Sequence, residues 1–410
     1  CGALITINSG TQGSQSTMSH PSGNVTVSYV ALKDINATGG AVFTANNSVD
    51  LGNNTGWIIN TATSQDLYWV GNGGNWDDGN HWAKTSGGTP SGCSPTPIDN
   101  VFFDANSFTS GNQTVTINVP TAYCHDMTWL GVTNTPIYTG PLSSTLKIYG
   151  SLTFVSGMKY SFAGPVSFES TTTGETITSG GQEFSNTVTF NGIGGGWTLL
   201  DELSSKDMIS LNNGTLTTNN QTVNATKFYS LTTTTRAINM GSSVFNLSSI
   251  STFWNVTSTG MTVNAGTSTI NATCNQSGWN VDFYGGGFTY YDVNWTGTGL
   301  GPAGYGDING DNSFHDVFFG SPGVINSSNT FHSVIFSGNG TIKNNNTYTD
   351  LTFTPGYTYT LTSGKTQTIN GSLLSTGNCG ALITINSGTQ GSQSTICQTR
   401  KRRRLLDSLS

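Results

Sequence analysis

Charged side chains are scarce in this chain of 410 residues. Aspartate, glutamate, lysine and arginine together make up 9% of the sequence, whereas about a quarter is usual for soluble domains. Five of the fourteen basic residues lie in the last eleven positions, so residues 1–399 carry nine basic and twenty acidic side chains, a net charge of −11. A body so poor in lysine and arginine is not expected to bind nucleic acid or an anionic membrane.

The sequence also lacks long apolar runs. About eighteen consecutive apolar residues would be needed for a membrane-spanning helix, and no such run occurs. Strong helix formers are sparse, and the 53 glycines interrupt the stretches in which a helix could grow. We therefore expect neither membrane insertion nor an amphipathic helix of useful length. The chain begins at Cys1 without a methionine or a signal peptide, so we expect it to be an excerpt of a longer protein.

Cysteine is present, but not as a dense framework. The six residues include no Cys-x-x-Cys pair and no cluster with the ligand spacing of a zinc site, so zinc binding is not expected. Cys93 and Cys124 flank one strand-rich loop, and a disulfide between them would stabilise it by a few kcal/mol. The equal alternative is that these cysteines fill the core as small apolar side chains. Core filling is favoured for Cys274.

A short phrase repeats three times between Asn312 and Phe353. The copies read NSFHDVFF, NTFHSVIF and NTYTDLTF, they begin at Asn312, Asn329 and Asn346, and a weaker form occupies residues 290–295. The step from 312 to 329 equals the step from 329 to 346. Equal steps of a β-rich phrase predict a solenoid, because each coil buries its apolar residues only against the next coil. The aromatic and aliphatic positions are kept while the histidine and aspartate positions change, so the repeat preserves packing.

The predicted fold is all-β, a right-handed single-stranded parallel β-helix. Short segments rich in valine, isoleucine, threonine and phenylalanine fit a pleated surface, and glycine, serine and asparagine turns separate them. We expect roughly 17–25 residues per coil and on the order of fifteen coils between residues 66 and 396. Tandem β-sandwich domains are the alternative, but they need about 100 residues each, far more than the step between the copies of the phrase.

A second repeat has a much longer period. Residues 379–395, CGALITINSGTQGSQST, are identical to residues 1–17, so position 379 corresponds to position 1. Identity over the whole of this segment predicts a tandem array of very large units. We therefore interpret residues 1–62 as the closing coils of a preceding unit, residues 63–378 as one β-helix unit, and residues 379–396 as the start of the same closing coils in the next unit.

Three of the nine tryptophans, Trp69, Trp76 and Trp82, lie in one phrase near the start of the 63–378 unit. Exposed aromatic rings would form a platform for sugars, so the three are candidate glycan-binding residues. The alternative is an aromatic cap near residues 67–82, because the first coil of a solenoid has no neighbour on one side and needs bulky groups to cover it. We favour the cap, since the phrase lies at a unit boundary.

Several phrases resemble the large repeat modules of secreted bacterial surface proteins. They are the opening WVGNGGNW, the strand DNVFFDANSF, the coil TQTINGSL and the segment FTANNSVDLGNNTGW. In these phrases the chain is similar to adhesin-like, right-handed parallel β-helix proteins of the Bacteroidetes type, over almost its whole length to about residue 396. The resemblance implies an extracellular or cell-surface location and a structural role, and it carries over no catalytic residue.

The final residues, 397–410, depart from both repeats. The first copy continues past Thr17 as MSHPSGNVTVSYV, whereas the second ends in CQTRKRRRLLDSLS, which is basic and contains no glycine. A run of this kind can act as a nuclear-localisation or nucleic-acid-binding signal. We prefer the hypothesis of a reading-frame shift or a broken gene end, because the composition changes abruptly inside a repeat.

Alternating oxygen ligands at Asp307, Asn309 and Asp311 resemble the first half of a calcium-binding loop. The twelfth position of such a loop is Phe318, which cannot supply the bidentate carboxylate, and no helix is predicted on either side. A polar turn that leads into the coil at Asn312 is the favoured alternative. Calcium is thus the single candidate cofactor.

Polysaccharide lyases and hydrolases also use parallel β-helices, so catalysis must be weighed. Such enzymes need clustered carboxylates, or carboxylates with a basic residue. Four acidic residues could line one face: Asp292, Asp307, Asp311 and Asp316. Their spacing differs from coil to coil, and His125, His315 and His332 occupy positions that suit corners better than a catalytic set. No catalytic residue is therefore predicted.

The sequence favours a non-catalytic structural or adhesive repeat region of a large extracellular surface protein. Its expected partners are surface glycans or other cell-surface components, and it would be a monomer within a longer tandem array. The alternative function is a carbohydrate-binding or polysaccharide-degrading β-helix. Threonine-rich coils such as residues 232–235 add ice or crystal-surface binding as a third hypothesis, which would require regularly aligned threonine pairs.

Overall fold

The computed structural model describes residues 4–275, 278–297 and 304–399. Stacked parallel strands form a β-solenoid of about 17 turns, with 49% of the residues in strands and 1% in helix. The predicted all-β parallel β-helix is therefore confirmed. The chain divides into two compact units, which are Cys1–Gln221 with Thr232–Ala237, and Thr222–Leu231 with Ile238–Ser410.

The first unit opens with seven strands, which we call the N-terminal segment (residues 5–61). In chain order they are β1 (Ile5–Asn8), β2 (Ser16–Ser19), β3 (Asn24–Ser28), β4 (Val30–Lys33), β5 (Ile35–Thr38), β6 (Val42–Asp50) and β7 (Trp57–Thr61). The larger of two parallel sheets has the order β1-β4-β6-β3, with β7 also paired to β6, and the smaller consists of β2 and β5. Val30, Leu32 and Ala45 form the core of this segment.

The coils of the first unit follow, and most contribute one strand to each of three faces. The strands are β8 (Asp66–Trp69), β9 (Gly74–Asn75), β10 (Trp82–Ala83), β11 (Asn100–Phe103), β12 (Thr114–Thr116), β13 (Thr121–Cys124), β14 (Met127–Trp129), β15 (Ile137–Gly140), β16 (Thr145–Ile148), β17 (Leu152–Thr153), β18 (Lys159–Phe162), β19 (Val166–Phe168), β20 (Glu175–Thr178), β21 (Glu183–Phe184), β22 (Val188–Phe190), β23 (Gly196–Leu199), β24 (Leu203–Ser205), β25 (Met208–Leu211) and β26 (Gly214–Thr217), with one 3-10 turn at Gly79–His81. Parallel ladders run through β8-β11-β14-β17-β20-β23-β26, through β9-β12-β15-β18 and through β13-β16-β19-β22-β25.

The later strands stack in the same way. They are β27 (Val223–Ala225), β28 (Lys227–Ser230), β29 (Arg236–Asn239), β30 (Val244–Leu247), β31 (Trp254–Val256), β32 (Met261–Asn264), β33 (Thr269–Ala272), β34 (Val281–Tyr284), β35 (Thr289–Trp295), β36 (Gly306–Asn309), β37 (Ser313–Phe319), β38 (Gly323–Ile325), β39 (Thr330–Phe336), β40 (Gly340–Ile342), β41 (Asn346–Phe353), β42 (Thr358–Leu361), β43 (Thr366–Ile369), β44 (Leu373–Leu374), β45 (Thr384–Ser387) and β46 (Thr395–Gln398). In the second unit, one ladder runs β28-β31-β34-β36-β38-β40-β42-β45 and another runs β27-β30-β33-β35-β37-β39-β41-β43-β46.

The register of the second unit confirms the equal steps of the repeated phrase. Phe314 lies opposite Phe331, and Phe331 lies opposite Tyr348. Some other coils exceed the predicted length, as the pairing of Trp254 with Phe283 shows. Loops at the corners absorb the extra residues, because a turn on the surface can lengthen without disturbing the ladders.

Aromatic and glycine residues recur with the same step because they face each other. The rings of Trp295, Phe319 and Phe336 stack with centroid distances of 4.7 and 4.8 Å. Gly306 and Gly323 lie in the neighbouring ladder, where an added Cβ would come within 2.5 Å of the rings of Trp295 and Phe319 respectively. Glycine therefore recurs in these coils because the aromatic stack leaves no room for a side chain.

The asparagine that begins each copy of the repeat also has a structural role. Asn312, Asn329 and Asn346 are all buried. The backbone N–H of Asn312 donates to Oδ1 of Asn329 at 2.8 Å, and the backbone N–H of Asn329 donates to Oδ1 of Asn346 at 2.8 Å. Each side chain thus satisfies the buried backbone of the preceding coil, which an apolar residue could not do.

The N-terminal segment packs against the side of the coils in its own unit. Ala31, Val49 and Leu51 form one buried cluster with Tyr149. The side-chain amide of Gln12 donates to the backbone carbonyl of Asn191 at 2.8 Å. These contacts join parts of the chain that are far apart in the sequence, which no local pattern predicts.

Within the described residues, no helix is long and apolar enough to cross a membrane.

Of the tail at 397–410, Cys397 and Gln398 belong to β46. The basic run at residues 400–404 lies outside the described residues.

Candidate functional site

A row of polar side chains lies along one corner of the second unit. In β37 the buried residues are Phe314, Val317 and Phe319, so two consecutive residues, His315 and Asp316, point outward. The same double outward step occurs in β35, β39 and β41. Because parallel pairing keeps the coils in register, these outward pairs form two adjacent rows.

Ring stacking orders the first of these rows. Tyr291 stacks on His315 with a centroid distance of 4.1 Å and an interplanar angle of 4°, and His315 stacks on His332 at 4.7 Å and 9°. The separations follow the spacing of neighbouring strands, about 4.8 Å. The exterior row is therefore as regular as the interior aromatic stack.

Carboxylates of the second row contact the imidazoles of the first. Nδ1 of His315 lies 3.1 Å from Oδ1 of Asp292 and 3.5 Å from Oδ1 of Asp316, and Nδ1 of His332 lies 3.0 Å from Oδ1 of Asp316. The ligand atoms of His315, Asp316 and His332 all lie within 4.8 Å of one another. We call Asp292, His315, Asp316 and His332 the corner cluster.

The corner cluster is open to solvent. The side chains of His315 and His332 are 37% and 53% exposed, and that of Asp316 is 44% exposed. Two imidazoles and two carboxylates at this distance can exchange protons or bind a cation. The sequence predicted corner positions for these histidines, and the signal for their contact was the repeat step from 315 to 332.

The four acids that were considered for one face, and whose uneven spacing argued against it, do not lie together. Asp292 and Asp316 are opposite one another in neighbouring strands. Asp307 lies in β36, on a different ladder, where it is buried opposite Asp282. Burial and the nearby Asp282 charge outweigh its hydrogen bonds and raise the pKa of Asp307 to about 6. Asp311 lies in the turn that precedes β37.

The predicted calcium ligands are engaged by neighbouring amides. The side-chain Nδ2 of Asn326 donates to Asp307 and, at 3.0 Å, to Oδ1 of Asn309. Oδ1 of Asp311 accepts from the backbone N–H of Ser328 at 3.0 Å. The donors occupy oxygen atoms that a calcium ion would need, and the calcium role of Asp307, Asn309 and Asp311 stays a prediction.

The three tryptophans of the opening phrase lie in the interior. Trp69, Trp76 and Trp82 are 0%, 2% and 0% exposed. Trp82 donates from Nε1 to the carbonyl of Trp76 at 2.8 Å, and its ring meets both other indoles edge to face. A platform for sugars needs exposed rings, so this arrangement gives no support to glycan stacking on these residues.

The predicted disulfide between Cys93 and Cys124 is wrong. Cys93 is disulfide-bonded, whereas Cys124 carries a free, fully buried thiol at the end of β13. The alternation of burial in β13 points Cys124 into the core, where burial raises the pKa of its thiol. The core-filling alternative therefore applies to Cys124. Cys274 is also buried, as expected.

A second histidine–aspartate pair lies in the first unit. Nδ1 of His125 is 3.1 Å from Oδ1 of Asp126, and this hydrogen bond raises the pKa of His125. Within the part of the chain that the structure describes, no second histidine contacts His125 or Asp126. It provides a natural comparison for the corner cluster.

Sequence reasoning missed a buried ion cluster at the N-terminal segment. Glu169 is 1% exposed, and its carboxylate lies 2.6 Å from Nζ of Lys33 and 3.4 Å from Nζ of Lys147. Lys33 is on β4 and Lys147 is on β16. Lys33 is 136 residues from Glu169, so only the packing of the N-terminal segment brings it to this cluster.

A cavity of about 410 Å³ also lies beside the N-terminal segment. Leu4 and Ala31 line it on one side, and Trp76, Pro97 and Tyr123 line it on the other. Its lining is mainly apolar and brings together no set of reactive groups comparable with the corner cluster.

Comparisons with protein families, with curated proteins and with solved structures found no match for this chain.

Proposed function

We propose that this chain is a non-catalytic section of an extracellular structural array of large sequence repeats. The coils at the end of one sequence repeat would continue into the coils of the next. The array would act as a rigid spacer or adhesive stalk at a cell surface. The observation that carries the proposal is the pairing of the repeated segment, which occurs as residues 1–17 and again as residues 379–395. The two copies pair with different neighbours, and the two pairings are complementary.

The first copy pairs with the coil that follows it. The backbone N–H of Ile5 donates to the carbonyl of Tyr29 at 3.1 Å, and that of Ser9 donates to Lys33 at 3.2 Å. In a parallel ladder, alternate residues direct their backbone groups to opposite neighbours. In β1 and the two residues that follow it, the backbone N–H groups of residues 5, 7 and 9 therefore point to β4, and those of residues 6, 8 and 10 point the other way.

The second copy pairs with the coil that precedes it. The backbone N–H of Thr384 donates to the carbonyl of Tyr357 at 3.1 Å, and that of Gly388 donates to Leu361 at 3.1 Å. Because position 379 corresponds to position 1, these two residues are the counterparts of Thr6 and Gly10 in the first copy. Each copy thus uses the backbone groups that the other copy does not use for pairing.

The next strand of the repeated segment behaves in the same way. In the first copy, the backbone N–H of Ser16 donates to the backbone carbonyl of Asp34 at 2.8 Å. In the second copy, the backbone N–H of Thr395, which corresponds to position 17, donates to the backbone carbonyl of Lys365 at 2.9 Å. The same side chain of the segment faces a core residue in both copies. Ile7 lies opposite Leu32, and its counterpart Ile385 lies opposite Tyr359. One segment can therefore bind a preceding and a following coil at once, as a continuous solenoid requires.

Two further features support the extracellular part of the proposal. Cys93 is disulfide-bonded, and disulfides persist mainly in oxidising compartments outside the cytosol. The described coils are held by backbone ladders and apolar stacks, which leave few exposed strands for a protease to enter. Length and resistance to unfolding are the properties that a stalk needs.

A longer chain tests the continuity of the coils. If residues 396–410 are replaced by the sequence of residues 18–62, the backbone N–H groups of Ile383 and Ser387 are expected to gain the bonds that Ile5 and Ser9 make. Their hydrogen exchange, measured by mass spectrometry or NMR, should slow by about 100-fold. Thr384 and Gly388, which are already bonded to the preceding coil, should change little and serve as internal controls.

A chain that carries a scrambled 18–62 segment of the same composition separates specific pairing from a simple effect of length. Unchanged exchange at Ile383 and Ser387, or equal slowing by the scrambled segment, would contradict a continuous array.

A cleavage screen tests the non-catalytic part of the proposal. The full chain is expected to release no more reducing ends or unsaturated products from a panel of polysaccharides than the Asp292→Asn and Asp316→Asn variants do. These are the two acids that the structure brings together on an open surface. Turnover that either substitution abolishes would establish the carbohydrate-degrading alternative, and retention on a glycan array without turnover would favour an adhesive role.

A further inference from the structure

We propose that the corner cluster binds one divalent transition-metal ion of the Zn²⁺ class. His315, Asp316 and His332 supply the ligands, and Asp292 lies beside His315. The sequence alone predicts no such site, because metal motifs are recognised by ligands close together in one segment. Here the ligands come from the outward corner of successive coils.

The distances within the cluster match those of a coordination sphere. Zinc bonds to histidine nitrogen and carboxylate oxygen at about 2.0–2.2 Å, so neighbouring ligand atoms in a tetrahedral site are ~3.3 Å apart. The Nδ1 atoms of His332 and His315 lie 3.0 and 3.5 Å from Oδ1 of Asp316. All three ligand atoms fall within 4.8 Å, so small rotations of exposed side chains would close the remaining gap.

Asp292 lies on the other side of His315, outside the group of three ligand atoms. Its Oδ1 lies 3.1 Å from Nδ1 of His315, and the side chain is 28% exposed. Two carboxylates and two neutral imidazoles carry a net charge of −2, which a divalent cation balances. Without a cation, Asp292 and Asp316 stand opposite one another in adjacent strands, an unfavourable pairing of like charges.

The donor atoms select the class of metal. Imidazole with carboxylate suits Zn²⁺, Ni²⁺, Cu²⁺ and Co²⁺. Calcium is bound by six to eight oxygen ligands, so it fits the cluster poorly.

A bound ion would link two neighbouring coils. His315 and Asp316 lie on β37, and His332 lies on β39. Because the ligands come together only in the folded chain, binding stabilises the coils against separation. The metal would act as a clamp on the outer surface, in addition to the interior packing of Phe314 on Phe331.

Titration of the untagged full chain with Zn²⁺ tests the proposal. After treatment with a chelator and dialysis, isothermal titration calorimetry is expected to show one bound ion per chain. Co²⁺ as a second probe should give the visible absorption bands of a site with nitrogen ligands. The variants His332→Asn and Asp316→Asn should each weaken Zn²⁺ binding by more than about 10-fold, since even outer-shell partners contribute 10–100-fold.

The matched control is His125→Asn, which alters the histidine–aspartate pair of the first unit and should leave Zn²⁺ binding unchanged. Circular dichroism verifies that each variant is folded. A folded wild-type chain that takes up no Zn²⁺, or binding that survives His332→Asn and Asp316→Asn, would overturn the proposal. A second positive result is available from Thr349→His, which adds an imidazole in the next coil and should tighten binding. None of these outcomes depends on whether the chain belongs to a longer array.

Discussion

Replacement of Glu169 by alanine is expected to lower the free energy of unfolding of the first unit by about 3 kcal/mol at neutral pH. Removing one partner of a buried ion pair typically costs about 3–5 kcal/mol, because the remaining charge is left without compensation. The lower end applies, since Lys33 and Lys147 are 15% and 33% exposed and can recover part of their hydration. Urea unfolding followed by circular dichroism measures the loss.

The Glu169 variant should also release the N-terminal segment. Lys33 belongs to β4, and its ammonium group lies 2.6 Å from the Glu169 carboxylate. The loss of this contact leaves the apolar cluster around Tyr149 as the main attachment of the segment. Hydrogen exchange in β4 is therefore expected to accelerate more than exchange in the interior ladders.

The effect depends on pH in a defined direction. Burial alone would raise the pKa of Glu169, but the charges of Lys33 and Lys147 and the hydrogen bonds from Lys33 and Asn191 outweigh it, and the pKa lies below its ordinary value of 4.5. A carboxyl group whose pKa is lowered by folding stabilises the protein above the unfolded pKa, and this stabilisation is lost as the pH falls through the folded pKa. The difference between wild type and variant should thus be full above pH 4.5 and shrink below it.

Glu183→Ala is the matched control for this prediction. Glu183 forms an ion pair with Lys206 at 3.5 Å, but the two side chains are 50% and 62% exposed. Exposed pairs contribute at most about 1 kcal/mol. If Glu169→Ala and Glu183→Ala lowered the free energy of unfolding equally, the buried ion pairs of Glu169 would contribute no more to stability than an exposed pair.

The architecture was predictable because packing repeats in the sequence. The equal steps from Phe314 to Phe331 and from Phe331 to Tyr348 reappear as a register of directly opposed residues. Equal sequence steps predict opposed residues in a solenoid, because each coil contacts its neighbours and a fixed advance places equivalent residues side by side. The outward corner of His315 and His332 follows from the same register.

Contacts without a period were not predictable. Lys33 and Glu169 are 136 residues apart, and no pattern links them until the N-terminal segment packs on the coils.

The predicted pairing of Cys93 with Cys124 failed for a related reason. Both residues flank one loop in the sequence, but the alternation of β13 turns Cys124 into the core. Distance along the chain does not determine which way a side chain faces.

The stack of aromatic rings explains why the repeat keeps its apolar positions. Phe331 is 1% exposed, and its ring lies 5.3 Å from that of Phe314 and 5.2 Å from that of Tyr348, with interplanar angles of 9° and 10°. Offset stacking adds about 0.5–1.5 kcal/mol to the free energy of burial. A residue in the middle of the stack contributes to two coil interfaces at once.

Phe331→Ala is therefore expected to destabilise the second unit by about 3–5 kcal/mol, the range for removal of a buried aromatic side chain. Phe331→Leu, which keeps most of the apolar volume, should cost less than ~2 kcal/mol. Ile335→Ala on the same strand is the control, since Ile335 is 39% exposed, and it should change the free energy of unfolding by no more than about 0.5 kcal/mol. Urea unfolding monitored by near-ultraviolet circular dichroism measures all three. If Phe331→Ala were as mild as Ile335→Ala, the coils would not be held by the interior stack, and the recurrence of aromatic residues within the repeat would need another cause.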